Sequence, residues 1–168
     1  DHILGPITAK AVLVEYSDFQ CPACGAYQPL VKQLKQTFGD QLALVYREYP
    51  LRQTHKYAQV AAQAAEAADK QGKFWAYHDL LFDRQSSWPQ ALNVEQTLVD
   101  YAKELGLDTA KFSSDYNSQA AKDRINVDVK SGDIANIPGT PTFYLNGQRI
   151  NPQSYNDFKS LIDSSLAL

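Results

Sequence analysis

Apolar residues along this chain follow two periodicities, one typical of strands and one typical of helices. Residues 11–16 (AVLVEY) are almost wholly apolar, as expected of a strand buried on both faces of a sheet. Apolar residues then recur at helical spacing from Tyr27 to Phe38, and Gly39 is expected to end that helix. A second strand is predicted from Leu42 to Tyr49, and Pro50 ends it. The chain therefore opens with a β-helix-β unit.

The middle of the chain shows helical patterns only. An Ala-rich helix is predicted from Tyr57 to Ala68, and Gly72 separates it from the next one. Further along, Asp108 is expected to cap a fourth helix, and a fifth covers Ala120 to Ser131. We therefore interpret residues 54–132 as an inserted helical domain.

Strand character returns in the last part of the chain. Two short strands are predicted, from Thr142 to Leu145 and from Gln148 to Ile150. The Asn146-Gly147 dipeptide between them indicates a two-residue hairpin turn, because both positions tolerate positive φ. Ser154 with Asp157 resembles a capping box that opens a final amphipathic helix.

The predicted order is thus βαβ, helical insert, ββα, which is an α/β fold. Residues 1–53 and 133–168 are expected to form one discontinuous domain around the insert of residues 54–132. With 168 residues, 44% of them hydrophobic and 21% charged, the chain is long enough for one compact unit or for a domain that carries an insertion.

Charge and chain ends exclude some functions and suggest others. The net charge of −3, without a basic run, gives no electrostatic footprint for nucleic acid. No stretch approaches the roughly 20 apolar residues needed to cross a bilayer. The chain begins with Asp1 rather than Met, so we expect a processed or trimmed product; if a signal peptide or membrane anchor existed, it has been removed.

The strongest candidate chemistry is the cysteine pair. Cys21 and Cys24 are the only cysteines, which excludes a scaffold held by several disulfides. The three histidines show no metal-type pairing with them, so a structural metal site is disfavoured and none is predicted. A redox pair is therefore the preferred interpretation, with a metal clip or a permanent structural disulfide as the alternatives.

Local context gives the two cysteines different roles. Cys21 is expected at a helix N-cap, with Pro22 at the first helical position, where its missing N–H costs nothing. Unpaired backbone N–H groups and the positive end of the helix favour the thiolate, which lowers the pKa from about 8.5 toward roughly 3.5–7.5. Cys21 is therefore the predicted nucleophile, and Cys24, one turn into the helix, the resolving thiol.

Two acidic residues precede the cysteines. Glu15 interrupts an apolar strand, and burying a carboxylate is costly unless it is neutral or paired. We expect Glu15 to lie under the cysteines and exchange a proton with Cys24; the alternative is a strand-edge residue that reaches solvent or pairs with Lys or Arg. Asp18 would oppose a thiolate if it were close to Cys21, but a solvated loop acid is the favoured interpretation.

Residues 137–142 (IPGTPT) precede the hairpin. Pro141, directly before a strand, is expected to follow a cis peptide bond, the alternative being an ordinary trans bond. A cis bond there would bulge the chain toward Cys21 and expose the backbone of Thr140. That backbone could then pair with an extended substrate strand. His55 and His78 are interpreted as structural.

These residues together resemble the DsbA family of thiol:disulfide oxidoreductases, within the thioredoxin superfamily. The matching features are Glu15, Cys21-Pro22-Ala23-Cys24, Tyr49-Pro50-Leu51, Gln71-Gly72-Lys73-Phe74-Trp75 with His78, and Gly139-Thr140-Pro141-Thr142. The resemblance implies a thioredoxin fold with an inserted all-helical domain, a cis bond at Pro141, and a place in the bacterial periplasm or at the cell-envelope exterior.

The resemblance also implies partners. Reduced or unfolded exported proteins would be the substrates, and a membrane quinone-linked thiol reoxidase, DsbB- or VKOR-like, would restore the disulfide. No cofactor is expected beyond the redox-active pair, and no assembly domain is visible, so a monomer is expected. The best-known oxidases of the family have Pro-His between the cysteines and Val before the cis-proline, whereas this chain has Ala23 and Thr140. Disulfide formation is the leading hypothesis, reduction or isomerisation the alternative, and a metal-binding or polypeptide-binding module the competitor from another class.

Overall fold

The computed structural model describes residues 1–167. Its elements in chain order are β1 (His2–Leu4), β2 (Ala11–Ser17), α1 (Pro22–Phe38), β3 (Leu42–Glu48), α2 (Ala58–Asp69), α3 (Phe74–Asp83), α4 (Val94–Glu104), α5 (Thr109–Tyr116), α6 (Gln119–Ile134), β4 (Thr142–Leu145), β5 (Gln148–Ile150) and α7 (Tyr155–Leu166). Short 3-10 turns at Gly39–Gln41 and Trp88–Gln90 follow α1 and precede α4. The α/β class predicted from the sequence is confirmed.

The strands form one mixed sheet in the order β1-β3-β2-β4-β5. Strands β2 and β3 are parallel, and the other three pairs are antiparallel. Strand β2 lies at the centre, which explains its nearly continuous apolar sequence. In its register, Glu15 lies opposite Tyr46 of β3 and Phe143 of β4.

Local signals in the sequence place most helix ends and the hairpin turn correctly. Asn146 and Gly147 both have positive φ (48° and 81°) in the turn between β4 and β5. Asp108 caps α5 by accepting from the backbone N–H of Lys111 at 2.9 Å. The predicted end of the fifth helix is wrong, because α6 continues to Ile134.

Strand β1 was not predicted. It has only three residues, too few for a periodic pattern, and it forms because it pairs antiparallel with β3. It extends the sheet at the edge next to the helical segment between β3 and β4.

Buried side chains form two clusters. One lies between the sheet, α1 and α7, and includes Leu13, Leu34 and Phe158. The other fills the helical segment and includes both Cys21 and Cys24. The start of α1 therefore packs against the helices that follow β3. Within residues 1–167, no helix is both long enough and apolar enough to cross a membrane.

Candidate active site

The cysteine pair lies where β2 leads into α1. Cys21 is the N-cap, with extended backbone (φ −71°, ψ 119°), and Pro22 is the first helical residue. Cys24 is fully buried, whereas 6% of the surface of Cys21 remains exposed. Both are free thiols in this structure. Of the two cysteines, therefore, only Cys21 offers surface to a sulfur of another molecule.

The two thiols have opposite pKa shifts. The pKa of Cys21 is lowered to about 5, first because the thiol of Cys24 donates a hydrogen bond to it. Burial opposes this effect, and the Thr140 side chain and the backbone N–H groups of Cys24 and Ala23 add to it. The pKa of Cys24 is raised well above its usual range, mainly by burial. The helix start thus contributes as expected, but the neighbouring thiol contributes more.

The loop between α6 and β4 approaches Cys21. The thiol of Cys21 donates to the backbone carbonyl of Thr140 at 3.4 Å. The Thr140–Pro141 peptide bond is cis, the form expected from the sequence. Thr142 Oγ1 donates to the carbonyl of Gly139 at 2.7 Å and so links the two ends of this turn. Thr140 and Pro141 are therefore brought to Cys21 across 119 residues of chain.

Glu15 lies in the central strand below the cysteines. It is 7% exposed and is paired with strands on both sides, so it is not at a sheet edge. Burial raises its pKa to about 7, and the charge of Cys21 contributes in the same direction. Its charge in turn helps to raise the pKa of Cys24. A cavity of about 280 Å³ between α1, α3 and the sheet is lined by Glu15, Gln28 and His78, among others.

Asp18 is not the solvated loop acid that the sequence suggested. It is 1% exposed, and its carboxylate accepts from the backbone N–H groups of Gln20 (2.7 Å) and Leu51 (2.9 Å). It also pairs with His55 Nδ1 at 2.7 Å. Asp18 therefore connects the loop before Cys21 to the segment after β3, and His55 is part of that connection.

One site residue was missed by sequence reasoning. Gln85, just after α3, donates from Nε2 to the backbone carbonyls of Phe19 (2.9 Å) and Cys21 (2.8 Å). Nothing local marks it, because glutamine is common on helix surfaces and its partners lie more than 60 residues away. Its contacts exist only once the helical segment packs on the sheet.

Comparison with known proteins identifies a family and solved structures of similar fold. A family model described as Thioredoxin matches residues 1–164. The chain belongs to the thioredoxin family. Oxidised BdbD of Bacillus subtilis superposes with a TM-score of 0.86 at 24% identity, covering 99% of this chain and 92% of that one. Alpha-DsbA1 of Wolbachia pipientis gives 0.85 at 19% identity, covering 98% and 90%. The DsbA-like thioredoxin fold indicated by the motifs is confirmed.

Sequence relatives of higher identity are much longer proteins. A protein of Salinispora arenicola named Na(+)/H(+) antiporter NhaA 1 is 43% identical over 156 residues, which is 93% of this chain but 23% of that protein. The chain spans less than a quarter of the length of such curated relatives. Their name describes whole proteins, of which this thioredoxin-like unit matches one part.

Proposed function

We propose that the chain catalyses thiol:disulfide exchange through Cys21 and Cys24, as an oxidase that forms disulfides in exported proteins. One observation carries the proposal. Cys21, whose thiol has a pKa of about 5 and keeps 6% of its surface exposed, is hydrogen-bonded at the start of a helix to the fully buried Cys24 thiol, whose pKa is raised. A permanent structural disulfide would need neither the low pKa nor the access.

The exchange balances as two substitutions at sulfur. In the oxidised protein, a substrate thiolate attacks Cys21 Sγ, the Cys21–Cys24 bond breaks, and Cys24 leaves and takes up a proton. The second thiolate of the substrate then attacks the substrate sulfur of the mixed disulfide, and Cys21 leaves as a stable thiolate. The substrate loses two electrons and the protein gains them. A low pKa makes Cys21 the better leaving group in this second step.

The direction follows from the same pKa. A thiol with a pKa near 5 stabilises the reduced protein at pH 7 by about 2.7 kcal/mol, or about 60 mV for two electrons. Stabilising the reduced form makes the disulfide a stronger oxidant. Oxidation of substrates is therefore favoured over reduction or isomerisation.

Glu15 is the proposed proton donor to the departing Cys24. With a pKa of about 7, it is partly protonated at neutral pH and can both give and recover a proton. The cavity that it lines supports a route for exchange with solvent.

We also propose that the reaction takes place outside the cytoplasm. An oxidising pair of this kind is useful outside the cytoplasm, where disulfides persist. There a membrane quinone-linked reoxidase would restore the Cys21–Cys24 disulfide. Ion transport belongs to the whole antiporter relatives, of which the chain matches less than a quarter, and is not proposed for it.

Trapping tests the roles of the cysteines. In a Cys24→Ser variant incubated with a reduced, unfolded exported protein in mildly oxidising buffer, mixed disulfides through Cys21 should accumulate. The Cys21→Ser, Cys24→Ser double variant should trap nothing, and persistent trapping there would contradict the assignment.

The equilibrium of the wild-type pair with glutathione tests direction. A potential nearer −120 mV than −270 mV supports an oxidase, and one near −270 mV supports a reductase. Absence of exchange together with stoichiometric metal retained after chelation would favour a metal-binding module instead.

A further inference from the structure

The loop between β2 and α1 is held by two side chains from opposite directions. Asp18 holds two backbone N–H groups of this loop. The Asp18 carboxylate accepts from the N–H of Gln20, and the Asp18 carbonyl accepts from the N–H of Cys21 at 3.0 Å. The carbonyls of Phe19 and Cys21 are held by Gln85 Nε2. The backbone orientation of the nucleophile thus depends on a residue of the helical segment.

Gln85 and the first turn of α1 fit each other closely. The amide nitrogen has two hydrogens, one for each carbonyl that it reaches. Gly25, one turn after Cys21, leaves the space that the amide occupies, because a Cβ there would collide with Oε1 and Cδ of Gln85. The carbonyl of Cys21 also accepts the first helical bond, from Gly25 N at 3.1 Å. Glycine at position 25 and glutamine at position 85 therefore form one structural unit.

We propose that Gln85 is a positioning residue for thiol exchange, which holds the Cys21 carbonyl so that the first-turn N–H groups face the Cys21 sulfur. This inference rests on the proposed function and adds that a residue of the helical segment sets the backbone orientation of the nucleophile. Gln85 touches neither sulfur, and acts through the backbone of Cys21.

Two physical effects connect this contact to the nucleophile. The N–H groups of Ala23 and Cys24 stabilise the Cys21 thiolate, and they remain aimed at it only while the peptide plane of Cys21 is fixed. A donor on the Cys21 carbonyl also withdraws negative charge from an oxygen close to the sulfur. Without Gln85, both effects weaken the thiolate.

The first test replaces the amide with an apolar side chain that cannot donate a hydrogen bond. In Gln85→Leu, the pKa of Cys21 should rise from about 5 toward 6, measured by the ultraviolet absorbance of the thiolate across pH. Reduction by glutathione at pH 7 should become roughly three- to tenfold less favourable, since each pKa unit is tenfold in the equilibrium.

Gln71→Leu is the matched control. Gln71 also bridges backbone groups with its amide, donating to Asp108 O and accepting from Asp108 N, both at 3.0 Å. Its loss should lower thermal stability without moving the titration of Cys21. The comparison separates a general loss of hydrogen bonds from an effect on the nucleophile.

Gly25→Ala tests the contact from the other side, and keeps the proposal testable if Gln85→Leu does not fold. The new methyl group displaces the Gln85 amide, while alanine is the better helix former. The fold should therefore persist, yet the pKa of Cys21 should rise as in Gln85→Leu. Combining Gly25→Ala with Gln85→Leu should raise it no further.

The outcomes distinguish this inference from the proposed function. An unchanged Cys21 titration in Gly25→Ala, or in a folded Gln85→Leu, would overturn the positioning role while leaving thiol exchange intact. A wild-type Cys21 that titrates like a free peptide thiol would instead overturn the proposed function itself.

Discussion

At the scale of single residues, the pKa of Cys21 is set chiefly by the neighbouring Cys24 thiol. The largest stabilising contribution to the Cys21 thiolate comes from the Cys24 thiol, ahead of Thr140 and the helix N–H groups. Cys24→Ala removes that donor, so the pKa of Cys21 should rise above 5, and by more than in Thr140→Val. Thiolate absorbance against pH measures both values.

The order of the two effects is the decisive part of that experiment. Thr140→Val keeps the shape of the side chain and removes only its hydroxyl, so it is the matched comparison. A larger rise in Thr140→Val than in Cys24→Ala would show that the loop at Pro141, rather than the partner thiol, sets the acidity of Cys21.

Ionisation of Glu15 destabilises the folded protein. Its folded pKa of about 7 lies above the unfolded value near 4.3, so the unfolded state loses its proton first. Stability is therefore lost as pH rises from about 4.5 to 7. Glu15→Gln should remove this loss and stabilise the protein at pH 7.5 by roughly 3.5 kcal/mol.

Denaturant unfolding of the oxidised protein at pH 4.5 and at pH 7.5 measures the Glu15 effect. The two proteins should differ by less than about 1 kcal/mol at pH 4.5, where Glu15 is protonated in the folded state and about half protonated in the unfolded state. A variant that is less stable than wild type at pH 7.5 would show that the carboxylate has a stabilising partner.

Sequence reasoning succeeded where chemistry and local context coincide. Cys21 was assigned to a helix N-cap because Pro22 follows it, and Glu15 to a buried strand because its neighbours are apolar. It was wrong for Asp18 and missed Gln85. The distant partners that bury Asp18 and hold Gln85 lie 33 to 66 residues away and become neighbours only through tertiary packing.

At the scale of elements, β1 shows the same limit. Its first residue, His2, stacks on Phe74 with ring centroids 3.5 Å apart, and its Nε2 contacts Glu66 Oε1 at 2.8 Å. Both partners belong to helices that follow β3. No pattern within three residues could indicate this strand, because long-range contacts stabilise it.

His2→Ala should destabilise the protein by about 2–3 kcal/mol, because it removes the stacking and leaves the buried Glu66 carboxylate without this partner. Ile3→Ala is the control, since the Ile3 side chain is 38% exposed and its truncation should cost far less. Thermal unfolding compares the two. Equal losses would show that β1 contributes only its backbone pairing with β3.

At the scale of the whole molecule, the two parts inferred from the sequence are closely joined. The buried cluster of the helical segment contains both cysteines, Phe19 and Tyr46 of β3. A backbone N–H of β3, that of Glu48, also donates to Asp128 of α6 at 3.0 Å. The helices between β3 and β4 therefore form one wall of the candidate active site.

Because the site is part of the core, its redox state should change the stability of the entire fold. Cys21 has a folded pKa of about 5, below its unfolded value of about 8.5. Its contribution to the reduced protein is therefore complete above about pH 8.5, and is lost as pH falls through 5. The oxidised protein has no thiolate, and the opposing effect of Glu15 is present in both forms and largely cancels in their difference.

The reduced protein should consequently be the more stable form at pH 7.5, by a margin that shrinks by about 1 kcal/mol for each pH unit between pH 8 and pH 5. Thermal unfolding of both forms across that range measures the margin. In Cys21→Ser, incubation with oxidant or reductant should leave stability unchanged, because neither a disulfide nor the Cys21 thiolate can form. An oxidised protein more stable than the reduced one at pH 7.5 would mean that folding does not favour the thiolate, and that the pair is not built to oxidise other thiols.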